Sequence, residues 1–216
     1  EVAVKAGKFT IGGIAKGSGM IHPQLGTLLC FLTTDAAVAP DFLKLALRKA
    51  VDISFNMVSI DGDTSPNDTV LMLANGQAKN ETILQNTREG DIFQQALDQV
   101  GIYLAKGIAR DGEGASRLIA VTVSGASSLA EARLAARTVV SSPLVKAAVH
   151  GGDPNWGRIV SAVGRSGVEV VESKIDLHIG DLCLLKAGEL QPFDRSSVVG
   201  ALTGHEVYIG LNLNLG

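Results

Sequence analysis

The sequence predicts an α+β fold of layered architecture, and three patterns predict it. Near the C-terminus, residues 174–179 (KIDLHI) and 207–215 (VYIGLNLNL) alternate with period two, as strands with one wet face do. From about residue 91 to 109 the apolar residues recur with helical period instead. Helical and strand segments do not alternate regularly, so a layered α+β arrangement fits better than a doubly wound sheet.

The elements follow in chain order. Residues 11–26, IGGIAKGSGMIHPQLG, are glycine-rich with a single proline and read as a loop. Thr27-Leu28-Leu29-Cys30-Phe31-Leu32 is a short continuous apolar run, the pattern of a fully buried strand. Pro40-Asp41 opens a helix with Phe42, Leu45, Leu47 and Val51 on its apolar face. Residues 55–60 read as a strand, and DGDTSPND (61–68) as a turn or loop stiffened by Asx hydrogen bonds. The apolar run 70–74 is too short to assign. RDGEGA (110–115) interrupts the long helical pattern, and SRLIAVTVSG (116–125) is a β-branched strand. Ser128-x-x-Glu131 is a capping-box signal for an alanine-rich helix ending near Ser141. GGDPNWGR (151–158) is a turn leading into a short helix, with Trp156, the only tryptophan, expected as a packing anchor. A domain boundary falls between Gly107 and Ser127, giving expected domains 1–111 and 112–216.

Composition narrows the partners. The 216 residues are 46% hydrophobic and 19% charged, an ordinary globular balance. A net charge of -3 leaves no basic footprint, so no nucleic-acid partner is expected. No apolar run approaches the roughly 20 residues that cross a bilayer, and no secretory leader is evident, so no membrane partner is expected either. Cys30 and Cys183, the two cysteines, sit in apolar runs and are expected as isolated buried thiols, which suits a cytoplasmic location. No Cys or His cluster has metal spacing, and DGDTSPND lacks the D-x-[DN]-x-[DN]-G order of a calcium loop, so no metal is expected. The chain opens on Glu1 without methionine and stops at Gly216 after an alternating run. It is therefore expected to be a fragment, or one piece of a processed precursor.

Common catalytic signatures are missing: there is no G-x-x-x-x-G-K-[ST], no G-x-G-x-x-G after a strand and no G-x-S-x-G. Four scattered histidines permit a Ser-His-Asp triad, but nothing favours one. Gly26-Thr27 permits different chemistry. A threonine hydroxyl is a weak nucleophile unless a base lies beside it, and its own freed α-amine, with a pKa of roughly 8, can be that base. Freeing it inside a chain requires Thr27 Oγ to attack the Gly26 carbonyl, an N-to-O acyl shift and ester hydrolysis. Glycine lets the scissile unit adopt a strained geometry without a Cβ clash. Taken alone, the pair allows this chemistry without requiring it.

Four blocks, in order, carry a resemblance. GGIAKGSGMIHPQLGTLLCFLTTDA closely resembles the self-cleavage segment of the ornithine acetyltransferases, the glutamate N-acetyltransferase family of arginine biosynthesis. SFNMVSIDGDTSPNDTVLMLANG, RDGEGASRLIAVTVSGA and GGDPNWGRIVSAVGRSG resemble three further blocks of that family, so the likeness runs over nearly the whole chain. Usual members have Ala-Thr in a setting like HPNMATML. The Gln24-Leu25-Gly26-Thr27 found here is similar instead to the paralogue associated with clavulanic acid biosynthesis.

The resemblance implies a layered α/β sandwich of the N-terminal-nucleophile-like type over 1–111, with a smaller C-terminal α+β domain over 112–216. It implies cleavage between Gly26 and Thr27, so that 1–26 is the tail of an α chain and a β chain begins at 27. Thr27 is then the nucleophile, Glu113 the active-site glutamate and Lys16 a substrate contact; Thr27 and Glu113 also bind substrate. The family's oxyanion Thr-Gly pair and its C-terminal substrate-binding segment, like INADYTT, fall outside this sequence. The implied reaction is ping-pong acetyl transfer from N-acetylornithine to glutamate through an acetyl-threonine. It needs no cofactor, although acetyl-CoA is a possible alternative donor, and the implied assembly has two α and two β chains. Two other readings stand beside it. One is an amidohydrolase or aminopeptidase with an N-terminal threonine, and the other a non-catalytic domain that retains the fold.

Overall fold

The structure, a computed structural model, describes residues 1–22 and 28–216. They form two compact units, Glu1–Glu113 and Gly114–Gly216. Each unit has its own mixed sheet, and the described residues hold six α-helices. The α+β class is thus the observed one.

In the first unit the sheet runs β1 (Val2–Ala6), β2 (Phe9–Lys16), β3 (Leu29–Thr34) and β4 (Thr69–Ala74), in that spatial order. The first two pairings are antiparallel and the third is parallel. Helices α1 (Pro40–Ile53) and α2 (Arg88–Arg110) pack together, and α2 also lies on β1 and β2. Phe93 of α2, wholly buried, anchors the core between Phe9 and Phe42, with ring centroids 5.6 and 6.0 Å away. Thr87 starts α2 by accepting the Gly90 N–H on Oγ1 at 3.0 Å, a cap worth about 1 kcal/mol.

Four local expectations are corrected here. Residues 11–16 are not loop but the last six residues of β2. Gly13 has a packing reason, because a Cβ on it would stand 2.6 Å from Leu32 Cδ2 and 2.9 Å from Leu104 Cδ1. Glycine lets the strand approach α2 closely. Next, β3 is buried on one face only: Cys30, Leu32 and Thr34 point inward, while Phe31 is 46% exposed. Phe31 pairs with Ile14 on one side and Leu71 on the other, and those are exposed too, so an apolar row crosses the outer face of the sheet. Residues 55–60 are not a strand. A 3-10 turn over Phe55–Met57 continues α1, held by Met57 N–H to Ser54 O at 3.0 Å, and the Ile60 N–H is committed to Ile21 O at 2.7 Å. On α1 the buried residues are Phe42, Ala46 and Ala50, flanked by Leu43, Leu47 and Val51; Leu45 lies outside that face.

The second unit orders its sheet β5 (Leu118–Ser124), β9 (Glu206–Asn212), β6 (Asp176–Ile179), β7 (Leu182–Lys186), β8 (Glu189–Leu190). Only β5 and β9 are parallel. In β9, Val207, Ile209 and Leu211 are buried while Tyr208 is exposed, so the period-two text becomes one covered and one wet face. Helices α3 (Leu129–Val140), α4 (Pro143–Gly151), α5 (Trp156–Gly164) and α6 (Arg195–Thr203) complete the unit. Ser128 Oγ accepts the Glu131 N–H at 3.2 Å, as the capping-box signal predicts. Trp156 packs half-buried against this core. Within it, Asp176 accepts from Lys186 Nζ at 2.7 Å and from Ala187 N–H at 2.8 Å. The Lys186 ammonium, helped by that amide, holds the Asp176 carboxyl below its ordinary range.

Candidate active site

The expected cleavage pair, Gly26 and Thr27, lies outside the described residues. What the structure shows is how the chain is held on both sides of residues 23–27, and one loop does most of it. Residues 61–68, DGDTSPND, leave the 3-10 turn after α1 and lead into β4. A carboxylate at each end of that loop grips one flank.

Upstream, Asp61 accepts the Met20 N–H on Oδ2 at 2.5 Å and the Ile21 N–H on Oδ1 at 3.2 Å. Oδ1 also accepts the Asp63 N–H at 3.0 Å, an Asx turn that stiffens the loop as composition predicted. The Ile21 carbonyl accepts from Ile60 N–H, and His22 Nδ1 lies 3.0 Å from Ser59 Oγ. Met20 has a φ of 56°, left-handed for a side chain that rarely goes there. The short bond to Asp61 secures that turn.

Downstream, Asp68 Oδ1 accepts the Leu28 N–H at 2.6 Å, and the Leu28 carbonyl accepts from Thr69 N–H at 2.9 Å. Leu28 is therefore pinned on both sides before β3 begins. The second oxygen, Asp68 Oδ2, is buried and accepts no hydrogen bond among the described residues. Burial raises the Asp68 carboxyl above its ordinary value, and the Leu28 N–H and then the nearby Lys16 charge pull it partly back. Asp68 and Leu28 line a small cavity with Ile21, His22, Asn56 and Ile108, and Asn56 Oδ1 is likewise buried without a donor.

Lys16 and Glu113 come to the same end of this unit. Lys16 closes β2, paired across the sheet with Leu29, and its side chain is exposed. Glu113 follows α2, its N–H donating to Ser18 O at 2.6 Å. Its carboxylate covers Gly19: a Cβ there would stand 3.0 Å from Glu113 Oε2 and 3.7 Å from Asp61 Oδ2. Glycine at 19 thus keeps two carboxylates over the chain shortly before residues 23–27. Sequence reasoning picked out Lys16 and Glu113, but gave the carboxylates of DGDTSPND only a turn-forming role. The signal for more was their number and position, an aspartate at each end of one loop. Among the described residues no group of three or more Cys, His, Asp or Glu could hold a metal ion.

A two-layer unit of sheet and helices, with Met20, Ile21 and Leu28 held by one acidic loop, defines the class: an α+β protein. The particular family follows from comparison. The ArgJ family model matches residues 1–216, and the chain belongs to that family. It is 52% identical over its whole length to the arginine biosynthesis bifunctional protein ArgJ of Dehalococcoides mccartyi, covering 53% of that protein. It is 46% identical over 213 residues to the protein of the same name from Bacillus subtilis, 99% of this chain and 52% of that one. The chain therefore spans about half the length of the curated relatives it matches. The crystal structure of arginine biosynthesis bifunctional protein ArgJ from Bacillus halodurans is 42% identical, with a TM-score of 0.83 over 85% of this chain and 86% of that one.

Proposed function

We propose that the protein to which this chain belongs is a self-cleaving acetyltransferase that moves the acetyl group of N-acetylornithine to glutamate. The observation that carries this is the match of the whole chain to the ArgJ family, whose relatives are named as arginine biosynthesis bifunctional proteins. The held flanks, Met20–Ile21 on one side and Leu28 on the other, support it, because a chain that must cut itself needs its flanks fixed while the centre reacts. Lys16 and Glu113 at the same end supply the charged groups the reaction asks for.

In the first, single event, Thr27 Oγ attacks the Gly26 carbonyl, the acyl group shifts from nitrogen to oxygen, and water hydrolyses the ester. The products are a Gly26 carboxylate and a Thr27 with a free α-amine. In each turnover Thr27 Oγ attacks the acetyl carbonyl of N-acetylornithine while that amine takes the hydroxyl proton. The amide C–N bond breaks, the proton passes to the leaving nitrogen, and ornithine departs, leaving an acetyl ester on Thr27. The amine of glutamate then attacks the ester, and N-acetylglutamate leaves with Thr27 restored. Donor and product are both amides, so the exchange is near thermoneutral and needs no nucleotide. Glu113 orients the amine and assists the proton transfers, and Lys16 contacts substrate. Water must be kept from the ester.

The assembly is proposed to be two α and two β chains working in the cytoplasm without a cofactor, with acetyl-CoA as a possible second donor. The Leu25-Gly26-Thr27 junction keeps the clavulanic acid paralogue as a second pathway reading of the same chemistry.

Mass spectrometry of the full-length protein incubated with N-acetylornithine and glutamate tests this. N-acetylglutamate is expected with wild type and absent with Thr27→Ala. Free acetate with no N-acetylglutamate would instead establish the hydrolase.

A further inference from the structure

We propose that Gly19 is a positioning residue for Glu113: the missing side chain at 19 makes the seat that sets where the Glu113 carboxylate stands. The inference rests on the reading of Glu113 as the glutamate that assists proton transfer.

The backbone of Glu113 is placed from two directions. Asp111 ends α2 with its N–H on Gly107 O at 3.0 Å, and Gly112 is buried against Ile60, where a Cβ would stand 3.1 Å from two of the isoleucine's carbons. One residue on, Glu113 N–H donates to Ser18 O at 2.6 Å. Main chain thus docks the end of α2 onto the segment that carries Gly19.

The side chain is held differently. No hydrogen bond among the described residues ties the Glu113 carboxylate itself. What it meets is Gly19, its Oε2 lying 3.0 Å from the point a Cβ on residue 19 would occupy. The backbone at 19 is outside the left-handed region, so room rather than conformational freedom is what the glycine supplies. Asp61 Oδ2, which accepts Met20 N–H, stands 3.7 Å from the same point, an ordinary contact distance. A methyl at 19 therefore presses on one carboxylate and spares the other. With no bond to draw it back, the pressed carboxylate shifts by a few tenths of an ångström or turns to another rotamer.

Kinetics on the full-length protein, taken once cleavage is complete by gel, test this. A 1 Å misplacement can cost about a hundredfold, so Gly19→Ala is expected to lower kcat at least about fivefold with KM within about twofold. Its melting midpoint is expected within about 3 °C of wild type. Glu113→Ala is expected to lower kcat about a hundredfold or more. Once that side chain is gone the methyl at 19 has open room, so adding Gly19→Ala should cost less than about a further twofold. Where Glu113→Ala leaves too little turnover to measure, Glu113→Asp, its carboxylate drawn back by one methylene, takes its place with the same expectation. Gly19→Ala with wild-type kcat overturns the proposal. So does an equal loss with and without the Glu113 side chain, or a melting midpoint that drops further, which would mark the glycine as structural. The two readings fail apart. Glu113→Ala at full rate removes the glutamate's role, whereas a slow Glu113→Ala beside a Gly19→Ala at full rate removes only the role of Gly19.

Discussion

Asp61 offers the sharpest test of how the chain upstream of residues 23–27 is held. Asp61→Ala removes at once the acceptor for Met20 N–H at 2.5 Å, Ile21 N–H at 3.2 Å and Asp63 N–H at 3.0 Å. A hydrogen bond to a charged acceptor contributes about 1.5–3 kcal/mol when shielded. Asp61 is exposed, so water replaces much of each, and roughly 0.5–1 kcal/mol per bond is the better figure. Met20 adds a term of its own. Its left-handed backbone costs about 1 kcal/mol, which the bond to Asp61 offsets. The expected loss is therefore about 2 kcal/mol, a factor of roughly 30 in the equilibrium that keeps the turn closed. Asp61→Asn retains one carbonyl oxygen for Ile21 and Asp63 but gives Met20 a donor instead of an acceptor, so about half the loss is expected. Urea denaturation reports the midpoint, and amide exchange at Met20 and Ile21 reports the turn itself. Met20→Gly placed in the Asp61→Ala background should recover part of the stability by relieving the φ strain. An Asp61→Ala midpoint within about 0.5 kcal/mol of wild type, with exchange at both amides unchanged, would falsify the grip.

Three further outcomes follow from the packing and the charges. Gly13→Ala should destabilise the first unit by about 1–3 kcal/mol in thermal melts, because its methyl meets Leu32 and Leu104 at 2.6 and 2.9 Å, where a real loop glycine would tolerate it. The Asp176 carboxyl, held low chiefly by Lys186, stabilises the second unit above the ordinary carboxylate range, and that contribution is lost as pH falls through its lowered folded value. The stability gap between wild type and Asp176→Asn should thus shrink on acidification below about pH 4, and a gap constant from neutral pH to pH 2 would contradict the assignment. Cys30 is wholly buried, and desolvation pushes its thiol up to about 12, so a thiol reagent at pH 8 should reach it only after unfolding. Rapid native-state labelling of Cys30, located by peptide mass, would contradict that burial.

Much of this was legible in the residues themselves. The long helix, the capped alanine-rich helix and the C-terminal strands carry periods and caps that local physics reads directly, and Thr87 and Ser128 cap as their types suggest. The misread elements are those whose composition serves a distant partner. Gly13 looks like a loop residue until Val100 and Leu104, some 90 positions later, are laid against the strand. FNMVSI has strand-like residues, but its backbone groups are spent on continuing α1 and on Ile21. At the site, Lys16 and Glu113 could be named only through the family resemblance. The roles of Asp61 and Asp68 depend on partners 40 positions away, a separation that no periodicity or spacing rule covers.

The central claim is a single backbone break that creates the catalytic amine, and N-terminal sequencing of active full-length protein tests it most directly. Two chains are expected, the second beginning Thr-Leu-Leu-Cys-Phe, with its first residue gaining one acetyl group when N-acetylornithine is supplied alone. A fully active protein that gives one uncut chain, or a second chain beginning anywhere else, contradicts the account.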